Sequence, residues 1–102
     1  KHEPMSKLSN QKLLKQMGIA MKDDRLSNSH RNLYMALLFC WKEQFFPMQV
    51  KITRKDLMHR SNIASSSTYH LAINRLIRLR YIQYIPSYDP YRGSIVQLIN
   101  TT

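Results

Sequence analysis

Residues 33–46 hold Leu33, Tyr34, Met35, Leu37, Leu38, Phe39, Trp41, Phe45 and Phe46. Leu33, Leu37, Leu38 and Trp41 recur at helical spacing, and the others widen that stripe until the helix is apolar nearly all round. A helix of this kind must be covered on every side, so it belongs at the centre of a small domain or in a dimer interface. Ser27 or Ser29 is expected to cap it, and Pro47 to stop it. A chain of 102 residues is one domain's worth, so the remaining elements are expected to wrap around this one helix.

The other segments read as shorter elements. Residues 1–7 read as a loose arm. Ser9 or Asn10 is expected to cap a short helix through Leu13, Leu14 and Met17, with Gly18 ending it in the left-handed conformation. Residues 19–26 then connect. The alternation over 49–52 puts Val50 and Ile52 on one face of a short strand. Thr53 with Asp56 has the spacing of a capping box for a short helix over 54–59. Ser61, Asn62 and Ile63 read as a tight turn. Ser65 or Ser66 then opens a longer helix to about residue 80, with Tyr69, Ala72, Ile73, Leu76 and Leu79 inward and His70, Asn74, Arg75 and Arg78 outward. Residues 81–85 and 94–99 read as strands. Two prolines, an Asp-Pro step and Gly93 mark 86–93 as a long hairpin loop between them.

This order predicts a mainly α protein with a small antiparallel sheet, an α+β arrangement. A short helix, a tight turn and a longer basic helix form a helix-turn-helix, and two strands joined by a loop form a wing. Residues 1–28 read as an arm plus short helix, and 29–102 as the domain proper.

The formal net charge is +10, from sixteen Lys and Arg against six Asp and Glu. Residues 1–50 carry eight of those bases and residues 51–102 the other eight. The positive field therefore belongs to the folded body, not to a tail, and calls for a polyanion. Cys40, the lone cysteine, can form no intramolecular disulfide and sits between Phe39 and Trp41. That reads as a buried apolar thiol in a reducing, cytoplasmic compartment. The longest strongly apolar stretch, 33–41, is too short to cross a bilayer, and no membrane partner is expected. No signal peptide is legible. Because the chain opens on Lys1, a fragment of a longer protein is an open reading.

The run Ser65-Ser66-Ser67-Thr68-Tyr69, then Ile73, Asn74, Arg75 and Leu76, then Tyr81-Ile82 resembles winged-helix DNA-binding domains of the bacterial transcriptional-regulator kind. The resemblance covers about 29–100. That family has Gly where the reading helix ends, and Arg80 stands at that place here. The loop over 86–94 resembles, more loosely, winged-helix proteins of plasmids and integrated elements of anaerobic gut bacteria.

The resemblance implies sequence-specific binding of double-stranded DNA, with helix 65–80 in the major groove and the 86–93 wing on backbone or minor groove. Hydroxyls at a helix start suit phosphates or base edges, which singles out Ser65, Ser66, Ser67 and Thr68. One of the four is needed as a cap. Asn pairs with adenine and Arg with guanine, so Asn74 and Arg75, with His70 and Arg78, are the candidate readers. Arg92 suits a narrow groove or a phosphate, and the hydroxyls of Tyr88 and Tyr91 suit phosphates. Lys51, Thr53, Arg54 and Lys55 fall where the family touches the sugar–phosphate backbone.

Transcriptional regulation is the expected purpose. The alternatives are an accessory of mobile-element replication or transfer, and a protein–protein module on the same scaffold, for which the outward Leu71 speaks. Pairing of two copies through the apolar helix 29–46 and the N-terminal helix is a further expectation. No enzyme is expected. His2, His30, His59 and His70 lack metal-ligand spacing, two glycines cannot build a phosphate-cradling loop, and the acids form no acid–base pair. No cofactor or metal is expected.

Overall fold

Seven elements form the computed structural model, which describes residues 5–85 and 93–99. They are α1 (Met5–Lys22), α2 (Asn28–Glu43), β1 (Val50–Ile52), α3 (Arg54–Ser61), α4 (Ser66–Arg78), β2 (Ile82–Ile85) and β3 (Ser94–Leu98). The architecture is mainly α with a three-stranded antiparallel sheet in the order β1-β3-β2.

The central role expected of the apolar helix is what the packing shows. α2 touches α1, α3, α4 and β1. It buries Leu33, Tyr34, Ala36, Leu37, Leu38 and Cys40. Full burial of a leucine such as Leu33 or Leu37 contributes about 1.5–3 kcal/mol. Leu57 of α3, Tyr69, Ala72, Ile73 and Leu76 of α4, and Val50, Ile82 and Val96 of the sheet close the same core. Leu13 and Ala20 of α1 also belong to it, so the N-terminal helix shares the core of the rest.

Several boundaries differ from the sequence reading, each for a physical reason. α1 starts within the expected arm, at Met5, and runs through Gly18 to Lys22. A mid-helix glycine costs about 1 kcal/mol, and burial of Ala20 beyond it offsets that cost. Ser9 and Asn10 lie inside the helix rather than at its cap.

Ser27, not Ser29, caps α2. Its hydroxyl accepts from the His30 amide at 3.4 Å, and its own amide donates to His30 Nδ1 at 3.0 Å. Histidine therefore takes the reciprocal place that Glu or Gln holds in the usual box. α2 ends at Glu43, well before Pro47, because Phe45 and Phe46 both turn left-handed at φ 65° and 59°. That turn leaves Phe45 89% exposed and brings Phe46 edge-on to Trp41 at 4.7 Å. It also aims the Gln44 side chain at β1. The amide accepts from Lys51 N–H at 3.0 Å and donates to Lys51 C=O at 2.8 Å, closing that sheet edge as a neighbouring strand would.

Only half of the capping box on α3 forms. Thr53 Oγ1 accepts from the Asp56 amide at 3.1 Å, but the Asp56 carboxylate turns to Arg60 at 2.8 Å. Arg60 in turn grips Glu43 at 2.7 Å and so ties α3 to α2. α3 closes on Asn62 in the left-handed conformation at φ 59°, and the Ile63 amide donates back to Met58 at 2.9 Å. α4 stops at Arg78, and Arg80 takes the left-handed conformation at φ 66° before β2 begins.

Candidate nucleic-acid interface

α4 divides its side chains cleanly. Tyr69, Ala72, Ile73 and Leu76 are buried, and Ser66, Ser67, His70, Leu71, Asn74 and Arg78 are exposed. The four hydroxyls at its start also divide. Ser65 caps the helix by accepting from the Thr68 amide at 3.0 Å, and its hydroxyl donates to Thr68 Oγ1 at 3.1 Å. Capping thus occupies Ser65 and Thr68 and leaves Ser66 and Ser67 facing solvent.

The start of α3 lies beside the first turns of α4 and the root of the 86–93 loop. Burial pushes the Tyr69 hydroxyl up to about 12, with Tyr84 of β2 adding to that shift and the Arg54 guanidinium opposing it. Arg54, Tyr69 and Tyr84 are therefore electrostatic neighbours drawn from three elements. Tyr84 shares a 2.7 Å hydrogen bond with the Ser94 hydroxyl across the loop root. Next to Ser94, Gly93 has φ 69°, and a Cβ there would collide with the Ile52 carbonyl, just before Thr53. The absence of a side chain is what allows residue 93 to pass this close to the end of β1 and the cap of α3.

Lys51, Thr53, Arg54 and Lys55 are all exposed at this junction, although Thr53 Oγ1 is occupied by its cap. Lys51 projects from β1, the sheet edge away from β2. Tyr88, Tyr91 and Arg92 lie outside the described residues.

Arg75 departs from the sequence reading. It is half-buried rather than outward, and a terminal nitrogen reaches the Arg25 carbonyl oxygen at 3.5 Å. Its Nε is buried with no hydrogen-bond partner. The signal was present in the sequence: Arg75 lies one turn from both Ala72 and Leu79, on the border of the inward stripe. The sequence reading did not single out Tyr84, although an aromatic residue next to the end of a strand beside a long loop was there to be seen.

Arg75 instead faces the linker between α1 and α2. There Arg31 donates to the Ala20 and Asp23 carbonyls at 3.0 and 2.7 Å. Burial, then the nearby Arg75 and Arg31, hold the His30 imidazole below its ordinary pKa. The Arg25 guanidinium holds the Asp23 carboxyl well below the carboxylate range. Asp23 pairs with Arg25, and Glu43 and Asp56 with Arg60, so three of the four described acids are already engaged by arginine. α1 and α4 contain no acid at all.

Among the described residues, no cluster of His, Cys, Asp and Glu could hold a metal ion. Burial, the leading cause, pushes the Cys40 thiol up, away from the reactive thiolate. No described helix is long and apolar enough to cross a membrane. No family model, curated protein or solved structure matches the chain.

Proposed function

We propose that this chain binds double-stranded DNA sequence-specifically, as a winged-helix regulator of transcription, with α4 in the major groove and the 86–93 loop as the wing. The observation that carries the reading is the outward face of α4. Ser67, His70, Asn74 and Arg78 stand exposed on a helix without an acid, with Arg54 and Lys55 exposed on the element before it. These side chains match what a duplex offers: Asn and Arg suit base edges, and hydroxyls and Lys suit phosphates. The net charge of +10 favours a polyanionic partner. Arg75 drops out as a base reader and becomes a residue that sets the pose of α4 against the α1–α2 linker.

Doubling a short site by pairing two copies belongs to the same proposal. The surface for it falls to α1, where Leu14 and Met21 are exposed, since α2 spends most of its apolar side chains inside. Sedimentation at micromolar concentration that finds only the 12.1 kDa species, with and without DNA, removes this part.

The test of the central reading is a salt titration on duplexes recovered by selection from a random pool. If about six phosphates are contacted, affinity falls about a thousandfold between 50 and 200 mM salt. Flat affinity over that range, or no duplex enriched by selection, overturns the proposal.

A further inference from the structure

Every exposed side chain of α4 is polar except one. Leu71 is 67% exposed and takes no part in the core. It lies opposite the buried stripe, one helical turn from Ser67 and from Asn74, and two turns from Arg78. A single exposed leucine on a protein surface is ordinary. Its place at the centre of the face that the proposed function puts in the major groove is not. The polar neighbours can satisfy donors and acceptors on base edges, but an aliphatic side chain there has only one apolar partner among the four bases, the C5-methyl group of thymine.

We infer that Leu71 is a specificity-determining residue that packs on a thymine methyl at the centre of the target site. This deepens the DNA-binding reading and rests on it. The net charge of +10 is what brings the duplex to this face, and Leu71 then distinguishes sequences once it is there. Asn74, one turn on, is placed to pair with an adenine within the same few base pairs. The recovered sites therefore carry an A·T-containing centre.

The experiment compares each recovered duplex with versions in which one thymine at a time is replaced by deoxyuridine. That exchange removes a methyl group and leaves the hydrogen-bonding edge intact. The wild-type chain loses about fourfold in affinity at one thymine per α4 footprint, the worth of one methyl group removed from water. Leu71→Ala binds the thymine and deoxyuridine duplexes equally, while its affinity for random duplex stays that of the wild type, which shows that the fold is intact. Leu71→Met, which keeps an apolar side chain, retains some of the discrimination. Wild-type binding that ignores deoxyuridine at every position overturns the inference while leaving DNA binding standing. So does a Leu71→Ala chain that still discriminates, and Leu71 is then free for a protein partner. Absence of binding to any duplex overturns the proposed function itself.

Discussion

The Tyr81 hydroxyl donates to Asp23 Oδ2 at 2.7 Å, joining the start of β2 to the linker between α1 and α2 across 58 residues of chain. The same carboxylate accepts from Arg25, through Nε at 2.9 Å and a terminal nitrogen at 2.7 Å. The Tyr81 ring meets Tyr34 of α2 edge-to-face at 4.8 Å. Burial is the first cause that pushes the Tyr81 hydroxyl up to about 12, and the bond to Asp23 adds to it. The phenol therefore stays protonated and donating throughout the physiological range.

Tyr81→Phe keeps the ring and removes only the hydroxyl. The loss of a hydrogen bond to a charged acceptor is expected to cost about 1–2 kcal/mol, because Asp23 retains Arg25. Urea unfolding with an unchanged slope reads that loss directly. A change near zero shows that Arg25 alone satisfies the carboxylate.

The cap of α2 makes stability depend on pH through His30. Its Nδ1 accepts from the Ser27 amide, which only the neutral ring can do, and burial, Arg75 and Arg31 all disfavour the cation. The folded-state pKa thus lies below the unfolded value of about 6.5. His30 contributes fully above that value, and its contribution is lost as pH falls from there through the lowered folded pKa. Asp23, also lowered, gives way only in more acid solution, as pH falls below the ordinary carboxylate range. Unfolding free energy is therefore expected to fall in two separate windows. His30→Ala flattens the upper one. A His30→Ala chain with the wild-type slope between pH 7 and 5 would show that another group titrates there.

Arg80 sits at φ 66°, where a side chain is strained and glycine is not. Arg80→Gly relieves the strain and Arg80→Ala does not, while both remove the charge. The glycine variant is expected to exceed the alanine variant by about 1 kcal/mol in unfolding free energy. Equal stabilities mean that the backbone at residue 80 is not costly to hold.

That position shows what the sequence could and could not convey. The absence of Gly just after α4 stood out as a departure, and the backbone at Arg80 takes the left-handed conformation that glycine adopts freely. Helical spacing of Leu33, Leu37, Leu38 and Trp41 was enough to place α2 at the centre, because a helix apolar nearly all round has nowhere else to go in so short a chain. Local rules failed where a tertiary partner outbid them. Gly18 does not stop α1, because Ala20 beyond it packs in the core. Asp56 abandons its capping role for Arg60, which also holds Glu43. Phe45 and Phe46 leave the helix, and Gln44 beside them occupies the edge of β1. At the candidate site, spacing along α4 identified His70, Asn74 and Arg78 as outward but misplaced Arg75, whose neighbours come from a linker 50 residues away.

The same displacement of Arg75 separates readers from anchors and from supports in the proposed interface. Asn74 is exposed on the outward face of α4, and in the proposed pose it would meet an adenine edge. Asn74→Ala is expected to cost about 1–3 kcal/mol on a selected duplex and much less on random DNA. Lys55 is exposed on α3, where backbone is nearer, so Lys55→Ala weakens selected and random duplexes alike and lowers the salt slope by about one unit. Arg75 has its Nε buried and a terminal nitrogen on the Arg25 carbonyl, so Arg75→Ala acts first on the fold. It is expected to shift unfolding and to change affinity for all sequences by a common factor, without altering which base pairs are preferred. Repeating the selection with each variant checks all three, since a lost reader changes the recovered sequence while a lost anchor or support does not. If Arg75→Ala changes the preferred bases and Asn74→Ala leaves them as they were, α4 is rotated on the duplex from the pose argued for it. If no variant changes them, α4 is not the reading helix.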